Sequence, residues 1–391
     1  MANNNCKFYK VVRQVSYDSG VTWVNIGETQ KGDLYEYDSA ECGAVTQYRW
    51  VDVTGAYTCE GTTKYQKTKR QVSTDGGTTW QDVSPAEYGK GNVIEYYSED
   101  CGGGEYSDQY LTFVALEDVR FKFNSKASTI LNSVSYSLDG GSNWTSLPND
   151  TYTPMVQTGQ KIMWKGGYRP DWWPGYNISY SNRFCCTGRY NVEGNIMSLL
   201  YGDNFIGKIS LAGTSHIFST LFVGNFPDSG YLVSAENLVL PATTLGEHCY
   251  DCMFWDCALL TKAPALPATT LAANCYQSMF SGCYSLTTAP ALPATTLADG
   301  CYFAMFEDCT SLTTAPELPA QTLVYDCYLD MFRFCSSLNY IKCLATDTSA
   351  HRCTWTWVEG VSSSGTFVKA SGTVWGGGVD GIPTNWTIQN A

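Results

Sequence analysis

Between Leu240 and Leu338 one motif is written four times at a fixed interval of 26 residues. Leu-Pro-Ala-x-Thr-Leu begins at Leu240, Leu266, Leu292 and Leu318, and a Cys-x-x-x-Met-Phe-x-x-Cys unit follows each copy. The first cysteines are Cys249, Cys275, Cys301 and Cys327; the second are Cys257, Cys283, Cys309 and Cys335. A period held this long without insertion constrains the fold severely. Each unit must follow one backbone path and bury its apolar stripe against the next, because so short a unit cannot close a core alone.

One copy can be read residue by residue. Thr269 or Thr270 is a good N-cap, and Leu271, Cys275, Met279 and Phe280 then share one helical face. Gly282 and Cys283 would close that helix, and Leu286 to Leu292 is short, extended and proline-limited. This spacing predicts one helix and one strand per turn. Residues 193–345 are therefore expected to form an α/β leucine-rich-repeat solenoid, with Met253, Met279, Met305 and Met331 buried in register. The eight repeating cysteines fall at two core positions, where a free thiol acts as a small apolar side chain. Intra-repeat disulfides are the alternative. Zinc is not expected, since Cys252 and Cys257 lack paired C-x-x-C spacing, and His248 reads as a surface residue.

The stretch Met279-Phe-Ser-Gly-Cys-Tyr-Ser-Leu-Thr-Thr-Ala-Pro-Ala-Leu-Pro-Ala-Thr-Thr-Leu297 resembles the BspA-like leucine-rich repeats. Those occur in surface proteins of gut Bacteroidales and in their phages and prophages. The resemblance covers roughly Gly194 to Ala391. It implies a degenerate first repeat before Val239 and a C-terminal cap over 346–391, the latter carried by Gly360 to Val368 and Gly381 to Trp386.

Upstream, a second repetition marks small all-β modules. Gln14 to Trp23, Gln71 to Trp80 and Ser137 to Trp144 all fit Ser-x-Asp-x-Gly-x-(Thr/Asn)-Trp, which resembles the Asp-box hairpin of sialidase-like propellers. Asp18, Asp75 and Asp139 would accept hydrogen bonds from their own turn amides, and Trp23, Trp80 and Trp144 would anchor the returning strands. The expected modules are 1–51, its repeat 52–108, and a β-sandwich-like domain over 109–192. Cys6/Cys42 and Cys59/Cys101 occupy equivalent places in the first two modules and could bridge within each.

Charge and inventory exclude several functions. The net charge is −13, and residues 234–345 carry 10 acids against 3 Lys/Arg. Such a surface repels phosphate backbones, so nucleic acid is not an expected partner. No run of 18 apolar residues occurs, so membrane insertion is not expected. The N-terminus has no apolar h-region, which argues against export by the general secretory route. A sialidase-like, glycan-active enzyme is an alternative, but its boxes lie within the first 167 residues, too few for a full propeller. The chain also has three histidines and no Ser/His/Asp signature, P-loop or metal-binding helix. No enzyme activity and no cofactor are expected.

What remains is binding. Positions that change between copies include Trp255, Ser281, Glu307 and Arg333; Cys252, Ser278, Ala304 and Asp330; and Glu247, Ala273, Asp299 and Tyr325. Variation there is either drift on a solvated face or a recognition surface. Trp255, Tyr325, Arg333 and Glu307 are the candidate binding residues, together with Trp172 and Trp173 in an aromatic loop that is otherwise a plug at a domain junction. Joined to the resemblance, this implies a non-enzymatic attachment protein on a phage particle, a tail or head fibre, binding a host cell-surface glycan or protein. Other virion proteins and a homo-oligomer are further expected partners. The alternative setting is a bacterial cell-surface adhesin.

Overall fold

A computed structural model describes residues 6–11, 14–15, 24–25, 30–36, 47–60, 63–73, 79–84, 86–95, 104–124, 134–166, 182–224 and 228–391. Asp18, Asp75, Cys42, Cys101, Trp172 and Trp173 lie outside the described residues. The chain divides into two compact units at Gly102/Gly103.

In the first unit, β1 (Cys6–Val11), β2 (Gln14–Val15), β3 (Val24–Asn25) and β4 (Gln30–Glu36) pair as β1 with β4 and β2 with β3. A four-stranded sheet follows, in which β5 (Gln47–Glu60), β7 (Gln81–Asp82) and β8 (Tyr88–Glu95) all pair with β6 (Thr63–Ser73). One strand, β5, thus runs through Val51/Asp52, where a module junction is expected from sequence. Cations cover its exposed rings, Lys64 over Tyr57 at 4.5 Å and Arg70 over Tyr48 at 4.2 Å, and its Arg49 lies over the half-buried Trp80 ring at 4.3 Å. Contacts of this kind are worth about 0.5–1 kcal/mol each at exposed sites.

The second unit begins with β9 (Leu111–Ala115), β10 (Phe121–Asn124), β11 (Val134–Ser137), β12 (Thr145–Leu147), β13 (Lys161–Lys165), β14 (Arg183–Cys186), β15 (Tyr190–Asn195) and β16 (Leu232–Val239). A six-stranded sheet has the order β12-β11-β13-β9-β15-β16, while β10 and β14 form a separate pair. Phe113 sits between them, with the rings of Phe121, Trp164, Phe184, Tyr190 and Phe222 centred 4.8–5.9 Å away. The turn between β11 and β12 is the third box. Asp139 accepts from the Asn143 amide (2.9 Å), the Asn143 side chain (2.7 Å) and Ser137 (2.7 Å), which hold its carboxyl down to about 2. Trp144 packs against Tyr110 at 4.8 Å.

The repeats stack in register, but not as helices and strands. Among the described residues, α-helix is limited to single turns at Gly104–Ser107 and Ser198–Tyr201, so the α/β solenoid expected from sequence does not form. The backbone dihedrals give the reason. Every fourth residue is left-handed, with φ of 49–74°: His248, Cys252 and Asp256, then Asn274, Ser278 and Gly282, and so on through Arg352, Thr356 and Gly360. A right-handed helix cannot contain such residues. Each coil is instead a chain of β-turns. Met253 N donates to Tyr250 O (3.2 Å) and Cys257 N to Phe254 O (3.0 Å), closing turns within the coil. The intervening amides point along the stack: Tyr250 N to Cys275 O (2.9 Å), Cys252 N to Gln277 O (2.8 Å), Phe254 N to Met279 O (2.9 Å). These two sets of hydrogen bonds pair the coil amides without a regular strand or helix.

The four-residue spacing sends Cys249, Met253 and Cys257 inward together with Tyr250 and Phe254. Met253, Met279, Met305 and Met331 are fully buried. Phe222, Phe254, Phe280, Phe306 and Phe332 stack 5.4–5.8 Å apart. A second ladder runs Phe218, Tyr250, Tyr276, Tyr302, Tyr328 at 5.7–6.2 Å. The second-position thiols donate to the preceding coil, Cys283 Sγ to Phe254 O at 3.2 Å and Cys335 Sγ to Phe306 O at 2.9 Å.

The stack does not end at Leu338. Tyr328, Asp330, Phe332 and Phe334 donate to Cys353, Trp355, Trp357 and Glu359, so one more coil reaches Gly360, beyond the expected start of the cap at 346. Trp357 replaces methionine in its column and stacks on Tyr328 at 6.2 Å. Before it in the chain comes β17 (Tyr340–Cys343), which forms a three-stranded sheet with β18 (Thr366–Lys369) and β19 (Thr387–Asn390) that follow it. Indole donors pin the closing segment, Trp357 Nε1 to Gly381 O (2.9 Å) and Trp386 Nε1 to Ser362 O (2.8 Å).

Candidate binding groove

Because amides from one coil meet carbonyls 25 residues on, equivalent side chains stand in columns. Phe303, Leu329 and Trp355 form one such column on the last three coils, and with Asp330, Arg333, Arg352 and Thr356 they line a groove of about 340 Å³. That volume lies at the small end of ligand sites. Leu329 forms the buried floor at 5% exposure, whereas Trp355 at 48% offers a large ring to solvent.

The rim is polar and internally paired. Arg333 Nε lies 2.7 Å from Glu359 and 3.8 Å from Asp330, and its Nη1 lies 3.6 Å from Glu307. The Glu359 bond raises the Arg333 guanidinium above its ordinary range. Burial, then the Asp330 and Asp308 carboxylates, raise the Glu307 carboxyl, with Arg333 opposing. Arg352 Nε lies 3.2 Å from Asp326, and its guanidinium is 5.0 Å from the Trp355 ring and 6.0 Å from Tyr325. The Thr356 hydroxyl donates to Asp330, and the Thr356 amide to Asp380 Oδ1 at 2.7 Å. Asp330 and Thr356 are two of the left-handed residues, so the turn geometry itself aims them at the rim.

Of the sequence candidates, Arg333 lines the groove and Glu307 reaches it through Arg333. Tyr325 stands beside it, 45% exposed and stacked on His351 at 5.8 Å. Trp255, half-buried, is three coils from Arg333 in the same column and takes no part. The column Cys252, Ser278, Ala304 and Asp330 is left-handed throughout. Phe303 and Leu329 share a changing column with Asp251 and Gln277 that is not among the candidates, and beyond the four copies lie Trp355 and Arg352. Their signal is Cys353, which follows Cys327 by 26 residues and extends the period past Leu338.

The structural cysteines Cys249, Cys257, Cys275, Cys283, Cys301, Cys309, Cys327 and Cys335 are buried and unpaired. Among the described residues no group of three or more His, Cys, Asp or Glu side chains is arranged to hold a metal ion. Neither a histidine, a serine nor a cysteine lines the groove. An exposed indole over an apolar floor, edged by paired charges, is suited to adsorbing a ligand face. No protein-family model, curated protein or solved structure matches this chain.

Proposed function

We propose that this chain is a non-enzymatic attachment protein of a phage particle, and that the groove at Trp355 engages a glycan or protein on the host cell surface. One observation carries the proposal: Trp355 presents nearly half its surface to solvent, over Leu329 and between Arg352 and Thr356. Aromatic and arginine side chains contribute most of the energy of a recognition surface when they become covered. The BspA-like motif supports the setting. The eight repeating core cysteines are buried as free thiols, which fits assembly in a reducing cytoplasm and favours the virion over a secreted adhesin.

The test is attachment of the purified chain to susceptible cells, with Trp355→Ala and Arg352→Ala beside the parent. Loss of attachment with an unchanged melting temperature supports the proposal. Undiminished attachment by both variants would remove the groove from the binding surface.

A further inference from the structure

The charges around the groove restrict what it can hold. Its two guanidiniums, Arg333 and Arg352, are met by four carboxylates, Glu307, Asp330 and Glu359 on Arg333 and Asp326 on Arg352, while a fifth, Asp380, takes the Thr356 amide. Neither arginine is an uncompensated cation. An incoming carboxylate or sulfate would have to displace a carboxylate already seated, and would then face the remaining ones across a partly dry wall formed by Phe303 and Leu329. A neutral ligand meets no such opposition. Hydroxyl groups can accept from guanidinium edges and donate to carboxylate oxygens that keep further lone pairs. The exposed Trp355 ring offers an apolar face to the C–H side of a sugar ring, and the groove volume suits one or two residues.

Building on the attachment reading, we infer that the groove binds uncharged saccharides, hexose or N-acetylhexosamine units stacked on Trp355, and discriminates against acidic sugars. The discrimination comes from the carboxylates that occupy Arg333 and Arg352, so Glu307 and Glu359 are specificity residues although neither lines the groove.

Calorimetric titration of the full chain with uncharged hexose and N-acetylhexosamine oligosaccharides tests this, beside the same oligosaccharides ending in a uronic or sialic acid. Uncharged members should bind, and acidic ones at least tenfold more weakly. Trp355→Ala should weaken uncharged binding at least tenfold. Glu307→Gln should narrow the neutral-to-acidic ratio at least threefold, which a merely structural role for Glu307 would not do. Equal or tighter binding of acidic sugars overturns the inference, as does an unchanged ratio in Glu307→Gln or a failure of every uncharged sugar to bind. Cells separate this from the function itself. Attachment that depends on Trp355, survives periodate treatment of the cells and is abolished by protease leaves the attachment reading standing and overturns the saccharide. Attachment independent of Trp355 overturns both.

Discussion

Phe254 and Phe280 stack with ring centres 5.4 Å apart and planes within 1° of parallel, although 26 residues of chain separate them. Their backbones are joined in the same register, since Phe254 N donates to Met279 O at 2.9 Å. Side-chain and main-chain ladders thus enforce one another, and a rung cannot be lost without loosening the coils on both sides.

Phe280→Ala should therefore cost about 3–5 kcal/mol, the range for truncating a buried phenylalanine. Phe280→Leu should cost less, because it keeps most of the volume. Denaturant unfolding of the two variants checks both the size and the order.

Gly282 gives a test of sign. It is left-handed at φ 73°, and a Cβ there would collide with Asp256 Oδ1 from the preceding coil. Gly282→Ala should therefore destabilise by about 1–2 kcal/mol. Denaturant unfolding checks it, and a rise in melting temperature would mean that the left-handed conformation is not held at this position.

The helical reading itself shows what the sequence made plain and what it concealed. Period, core columns and buried methionines all follow from residues that recur unchanged, because burial fixes composition. Helix and linked turns were not separable by those residues: Cys249, Met253 and Cys257 at four-residue spacing fit a 3.6-residue period nearly as well as a four-residue one. The distinguishing information sat at positions that vary. His248, Asn274, Gly300 and Asp326 occupy one column and Asp256, Gly282, Asp308 and Phe334 another, and all but His248 and Phe334 are Asn, Asp or Gly, the types that best tolerate left-handed backbone. Variation among such residues is a backbone signature before it is a recognition signature. The groove was hidden for a separate reason. Trp355 and Arg352 lie in the segment given to the cap, although Cys353 keeps the period.

The thiol ladders make the stack sensitive to alkali. Burial pushes the Cys275 and Cys327 thiols up to about 12 from an ordinary 9.0. A raised folded-state value means the unfolded chain releases these protons first. The stability is fully present below about pH 9 and falls as pH rises towards 12. Melting temperature should drop through that window, more steeply than for a variant with Cys275→Ala and Cys327→Ala. Native thiols should also resist iodoacetamide at pH 8 and react after denaturation, as mass spectrometry would record.

Asp139 behaves in the opposite sense. The Asn143 amide, the Asn143 side chain and Ser137 hold its carboxyl down to about 2. Its contribution is present above the ordinary 3.8 and disappears as pH falls through that lower value. Asp139→Ala should raise hydrogen exchange at the Gly141 and Asn143 amides while leaving the amides of 248–334 protected. Equal loosening in both regions would mean that the hairpin supports the stack.

Attachment should divide the sequence candidates by their distance from Trp355. Trp255, Tyr325 and Arg333 look equivalent in sequence, as large side chains at positions that change between copies. Trp255 lies three coils from Arg333, so Trp255→Ala should leave attachment within about twofold of the parent, since residues outside an interface centre contribute little. Tyr325 borders the groove through Arg352, which stands 6.0 Å from its ring and 5.0 Å from Trp355. Its loss should loosen Arg352 and weaken attachment to an intermediate degree. Arg333→Ala removes a lining residue and leaves Glu307, Asp330 and Glu359 facing one another without their shared cation. It should weaken attachment tenfold or more and also lower the melting temperature. Arg333→Met separates the two effects, because it keeps the stem and removes the charge. Ranking the four variants by attachment, with melting temperature alongside, decides the matter. An order in which Trp255 leads would move recognition to the opposite end of the stack.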